Sequence, residues 1–115
     1  MKNYFPEKDM ACKCCGVSKM QPSTIEKLNK AREIAGFPFK INSAYRCEKH
    51  NKAIGSNSIV HPLGYAADIS CTESRKRFII IDALLKAGFR RIGVHKQFIH
   101  ADDCPTRDQD VVWFY

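Results

Sequence analysis

The sequence predicts an α+β domain in which two main helices pack against a small, mainly antiparallel sheet. Three observations carry that expectation. Apolar residues recur at helical spacing in two separate stretches, residues 23–35 and 73–87. Short apolar or alternating runs, bounded by glycine, proline or polar residues, occur at 39–43, 66–70, 91–94, 98–102 and 111–115. A chain of 115 residues can bury one hydrophobic core, so a single domain spanning 1–115 is expected.

Residues 1–21, with Pro6 and Gly16, read as an irregular lead that runs up to Pro22. Ser23-Thr24-Ile25-Glu26 has the form of a capping box, with Ser23 at the N-cap. Ile25, Leu28, Ala31, Ile34 and Ala35 then follow at helical spacing; Gly36 stops that helix and Pro38 prevents its resumption. Phe39–Ser43 alternates like a strand. Residues 48–54 suit a short helix ending at Gly55, and 55–64 a loop carrying His61. Ala66–Ser70 reads as a buried strand. Thr72 can cap the second long helix, 73–87, with Phe78, Ile81, Ala83, Leu84 and Leu85 offered to the core and Gly88 as its stop. Arg91–Val94 and Phe98–Asp102 suit a hairpin around Lys96-Gln97, and Val111–Tyr115 a last strand.

Composition narrows the function classes. The longest apolar run, Phe78–Ile81, ends at Asp82 and is far too short to span a bilayer, so no membrane partner is expected. The first residues lack the apolar segment of a secretory signal, which implies synthesis in the cytoplasm. The net charge of +7 suits an anionic partner, either nucleic acid or a polymer such as a bacterial cell wall. No nucleic-acid motif accompanies it, and the basic residues are spread along the chain. Of six cysteines, Cys12, Cys14 and Cys15 crowd the lead, while Cys47, Cys71 and Cys104 are scattered. The first three with Cys47 offer ligands for a structural zinc, although no C-x-x-C pair stands opposite another; buried free thiols are the simpler expectation.

The chemistry concentrates in His61-Pro62-Leu63-Gly64-Tyr65-Ala66-Ala67-Asp68, answered by Phe98-Ile99-His100-Ala101-Asp102. Two imidazoles and a carboxylate, His61, Asp68 and His100, are the donor types of a catalytic zinc site, which keeps three protein ligands and an open position. In a strand over 98–102, His100 and Asp102 share one face while Ile99 and Ala101 face the core. Gly64 allows the turn that brings His61 near Asp68. Taken singly, each histidine or aspartate also has an ordinary structural reading; the metal expectation rests on the joint pattern.

That joint pattern, His61-x-x-Gly64-x-Ala66-x-Asp68 followed by His100, resembles the zinc D-Ala-D-Ala carboxypeptidases and L-alanyl-D-glutamate endopeptidases that cut peptidoglycan stem peptides, a fold shared with vancomycin-resistance dipeptidases and hedgehog signalling domains. Ile41-Asn42-Ser43-Ala44-Tyr45-Arg46-Cys47 and His50-Asn51 resemble the family's Ser-Gly-Tyr-Arg segment and the His-Asn that follows it. The resemblance implies a hedgehog/D-Ala-D-Ala peptidase-like fold, Zn2+ held by His61, Asp68 and His100, and catalytic roles for Arg46, His95 and Asp102. Arg46 would stabilise developing negative charge. His95 would act as base or as transition-state donor. Asp102 would orient a ligand or polarise the attacking water. The chain departs from the family at three places: Gln97 stands where many relatives carry an acidic base, Ile59 where they carry Ser (with Ser58 adjacent), and Ala44 where they carry Gly. His50 is read as structural.

The expected function is a zinc metallopeptidase acting on peptidoglycan stem peptides, as carboxypeptidase or endopeptidase, in the manner of a phage-type lysin. It would work as a monomer, without nucleic acid, at the bacterial cell wall after export or lysis. The rival expectation is a non-catalytic, metal-containing wall-binding module, favoured by Gln97.

Overall fold

The computed structural model describes residues 2–115. After a single 3-10 turn at Glu7–Asp9, the elements run α1 (Pro22–Ala35), β1 (Lys40–Ser43), α2 (Glu48–Ala53), β2 (Ala66–Ser70), α3 (Ser74–Ala87), β3 (Arg91–Val94), β4 (Phe98–Asp102) and β5 (Val111–Phe114). The strands form one sheet in the order β1-β2-β4-β3-β5. All neighbours are antiparallel except β3 and β5, which run parallel. This is the α+β class expected, with α2 as a short third helix. No helix among the described residues is long and apolar enough to cross a membrane.

The two faces of the sheet do different jobs. Ala67 and Ile69 of β2, Ile99 and Ala101 of β4, and Ile92 of β3 point to one face and are buried against Leu28 and Ala31 of α1 and Ile80, Ala83, Leu84 and Ala87 of α3. Phe5, Met10, Phe39 and Phe89 fill the margins of this core. The alternate residues, among them Asp68, His100, Asp102 and Arg91, face the other way and line a cleft. Alternation along each strand therefore sorts apolar from polar side chains onto opposite sides.

Several local expectations are corrected. The first helix starts at Pro22, with Gln21 as its cap. Proline at the first helical position has no N–H to leave unpaired. Ser23 is released from capping because its hydroxyl donates to Asp103, at 2.8 Å. Asp103 also accepts from Thr24 and pairs with Lys27 at 3.1 Å, which ties α1 to the end of β4. On α3 the cap is Glu73, whose carboxylate accepts from the amides of Arg75 and Lys76. The buried stripe of α3 is Ile80, Ala83, Leu84 and Ala87, whereas Phe78 and Leu85 are exposed. Ile34 of α1 is likewise exposed.

Gly64 is fixed by two constraints. It adopts φ +82°, and a Cβ added there would lie 2.0 Å from the carbonyl oxygen of Lys19. Its own carbonyl accepts from the amide of Gln21 at 2.9 Å. The loop carrying His61 is thus pinned against the lead into α1 at the one residue that can approach so closely.

Candidate metal centre and cleft

One row of residues crosses the whole sheet. Ser43 pairs with Asp68, Asp68 with His100, His100 with Gly93, and Gly93 with Trp113. Paired residues on neighbouring strands project to the same face, so Asp68 and His100 stand side by side. Gly93 leaves room for the Trp113 indole, which a Cβ would meet at 2.7 Å. The indole lies over this gap with its centroid 5.3 Å from that of the His100 ring.

His61 reaches the same point from its loop. Its Nδ1–H donates to the carbonyl of Ala44 at 2.7 Å, so the free lone pair is on Nε2, which lies 3.5 Å from Asp68 Oδ2. His100 mirrors this arrangement. Its Nε2–H donates to Asp102 Oδ2 at 2.7 Å, and its Nδ1 faces Asp68 Oδ1 at 2.8 Å. Each imidazole thus has one nitrogen anchored outward and one turned toward Asp68. All three side chains are buried, and their ligand atoms lie within 4.8 Å of one another.

The donor set fits a divalent cation such as zinc. It supplies two imidazole nitrogens and a carboxylate oxygen, with the tautomer of each ring set by an outer acceptor. The electrostatics favour the same conclusion. Burial works against an ionised Asp68, but its interactions with the adjacent His100 and His61 rings outweigh it and hold the carboxyl well below its usual range. Burial also works against a charged His100, yet its bonds to Asp102 and Asp68 outweigh that and raise its pKa. The centre is a pocket of negative charge suited to a cation.

Asp102 lies wholly buried behind His100. Its second oxygen accepts from Arg91 Nε at 2.7 Å and from the Cys104 amide at 3.3 Å. With these partners Asp102 positions His100. Arg91 also stacks over Trp113, at 5.1 Å from the ring centroid.

The cleft around this centre has a volume of about 830 Å³. Arg46 lines it, stands in the segment between β1 and α2 and is 9 % exposed. Its Nε is buried without a hydrogen-bond partner among the described residues. Burial pushes its guanidinium below its ordinary value, and Asp68 opposes that fall. An incoming oxyanion or carboxylate would give this buried cation the partner it lacks.

His95 is set beside the cleft rather than in its wall. Its ring stacks on Phe98 at 4.3 Å between centroids and meets Tyr115 edge-on at 5.4 Å; both of those neighbours line the cleft. Its Nδ1 accepts from the Gln97 amide at 3.0 Å. The neutral ring therefore carries its proton on Nε2. His50, read from sequence as structural, is among the residues that line the cleft.

Sequence reasoning missed Lys13 and Arg91 as cleft residues. Arg91 was in principle detectable, because it alternates with Gly93 on the strand that pairs with His100. Lys13 had no such signal; it enters the cleft from the irregular lead, where its ammonium donates to the Asn42 carbonyl at 2.5 Å.

A family model described as Peptidase M15 matches residues 3–102. No curated protein matches the chain. The matched span contains all three candidate ligands together with Arg46, His95 and Asp102, and it ends at the last residue of β4. Fold, centre and matched span agree: the chain belongs to the peptidase M15 family, the D-Ala-D-Ala carboxypeptidase-type metallopeptidases.

Proposed function

We propose that this protein is a zinc-dependent peptidase that hydrolyses peptide bonds in peptidoglycan stem peptides, as a carboxypeptidase or an endopeptidase, and that it acts at the bacterial cell wall in the manner of a lysin. The observation that carries the reading is the convergence of His61, Asp68 and His100 at the floor of a cleft whose wall holds Arg46, with its Nε buried and unpartnered among the described residues. The net charge of +7 suits an anionic wall polymer.

His61 Nε2, an Asp68 oxygen and His100 Nδ1 would hold the zinc ion, which when bound supplies Lewis-acid polarisation of the scissile carbonyl and lowers the pKa of water to about 7. The chain's own residues do the rest. Arg46 donates to the oxyanion that develops on the carbonyl, in a buried setting where such a bond is strong. Asp102, held by Arg91, keeps His100 in one orientation. His95, whose neutral ring carries its proton on Nε2, would donate a hydrogen bond to the transition state.

Mass spectrometry of purified peptidoglycan incubated with the protein tests the reading. New peptide termini that vanish with a chelator and return with zinc are expected, and they name the bond. His61→Ala and His100→Ala should lose the cleft metal and cleavage, while His95→Ala should keep the cleft metal and turn over more slowly. A second reading, a non-catalytic wall-binding module, is favoured by Gln97, which cannot take a proton from water. Wall binding by zinc-loaded, folded protein without cleavage of several wall chemotypes would establish it instead.

A further inference from the structure

Away from the cleft floor, the fold gathers four cysteines from two distant parts of the chain. Cys12, Cys14 and Cys15 lie in a turn of the lead, and Cys47 caps α2. Their sulfur atoms lie within 4.8 Å of one another. Three separations are 3.5 Å (Cys12–Cys14), 3.7 Å (Cys12–Cys47) and 3.3 Å (Cys14–Cys47). With zinc–sulfur bonds of about 2.3 Å, a regular tetrahedron has sulfur–sulfur edges of about 3.8 Å. A disulfide would instead require about 2.05 Å. The spacing found is close to the edge of a zinc–thiolate tetrahedron and far from a bond.

The surrounding backbone is arranged for sulfur that carries negative charge. The Cys47 amide donates to Cys12 Sγ at 3.4 Å, and the His50 amide donates to Cys47 Sγ at 3.4 Å. The turn is closed by the Cys12 amide on the Val17 carbonyl at 2.7 Å and the Gly16 amide on the Cys12 carbonyl at 2.8 Å.

We propose that Cys12, Cys14, Cys15 and Cys47 form a second, structural zinc site. Four thiolates close the coordination sphere, so this ion has no open position and takes no part in catalysis. Its place in the fold gives it a mechanical role. The segment between β1 and α2 carries Ala44, whose carbonyl anchors His61, then Arg46, then Cys47. The Tyr45 amide donates to the Met10 carbonyl at 3.1 Å, so the same segment is already laced to the lead. A metal joining Cys47 to Cys12, Cys14 and Cys15 would lock this strip on one side of the cleft. It would also fix Lys13, which sits between two of the cysteines and lines the cleft.

Elemental analysis and native mass spectrometry of the full chain, produced with zinc in the medium, test the site without reference to activity. Wild-type protein should carry two zinc ions, His61→Ala/His100→Ala one, and Cys14→Ser/Cys47→Ser one. Cobalt(II) substitution gives an answer on wild-type protein alone, because the His61, Asp68 and His100 site holds no sulfur. An intense near-ultraviolet thiolate-to-cobalt band is expected. A single zinc in wild type that disappears in the histidine double variant, or a cobalt spectrum without the thiolate band, would overturn the proposal. So would an intact mass showing a disulfide between Cys14 and Cys47 in freshly isolated protein.

Discussion

The carboxylate of Asp102 spans two cations' worth of partners: it accepts from His100 Nε2 at 2.7 Å through one oxygen and from Arg91 Nε at 2.7 Å through the other. His100 is thereby oriented from behind by a group that lies one strand position away on the same face. Asp102→Asn can present a donor where His100 also donates, which disrupts the orientation. Metal affinity should fall by about 10- to 100-fold. Competition titration with a chromogenic chelator measures this, and unchanged affinity would remove Asp102 from the support of the centre.

Arg46 gives a different signature. Arg46→Lys keeps the positive charge but loses the planar donor fork. Turnover should fall by about 10²- to 10³-fold if Arg46 is the oxyanion donor, with zinc content unchanged. Steady-state kinetics paired with elemental analysis separates this from loss of metal; a fall in KM-related binding alone would assign Arg46 to substrate anchoring instead.

The pH dependence of metal-stripped protein follows from the centre's two shifted groups. His100 is raised from its ordinary 6.5, so its contribution to stability is whole below that value and is lost as pH rises through its folded value. Asp68 is depressed from its ordinary 3.8, so its contribution is whole above that value and is lost as pH falls through its folded value. The two overlap between about pH 4 and pH 6.5, where the stripped protein should be most stable with respect to these groups. Zinc binding competes with protonation of His100, so its stabilising effect should grow as pH rises above about 6.5. Thermal unfolding with and without chelator across that range checks the slope, and a metal effect independent of pH would contradict it.

Gly93→Ala tests how the cleft wall is built. The added methyl would meet the Trp113 ring at 2.7 Å, so the indole must move off the sheet. A loss of about 1–3 kcal/mol in stability is expected from this overpacking. A change in tryptophan emission should accompany it, since Trp113 is the single tryptophan of the chain. Native-like emission and stability would show that the wall yields elsewhere.

The strands that carry two of the candidate ligands were legible because their polar residues interrupt apolar runs at a period of two: Asp68 between Ala67 and Ile69, His100 between Ile99 and Ala101. That alternation is a local property, and the sheet preserved it. What failed were features decided by partners distant in sequence. Ser23 looked like a cap until Asp103, from the far end of β4, took its hydroxyl. Ala83 and Leu84 are core as read, but Phe78 and Leu85 looked like core until the packing of α3 on α1 buried Ile80 and Ala87 in their place. The candidate metal triad was visible as a pattern, whereas the Ala44 carbonyl that anchors His61 was not, because a backbone acceptor carries no mark in a sequence.

Asp68 and His100 are register partners on adjacent strands. Inserting or deleting one residue before either of them within its strand would turn that side chain to the core face, and would bring an alanine or isoleucine to the cleft in its place. Ligand identity in this protein is therefore held as much by counting as by chemistry. Length variation can accumulate in the connections between elements, but within 66–70 and 98–102 a single-residue change in length would erase the centre while leaving every one of its residues in the sequence.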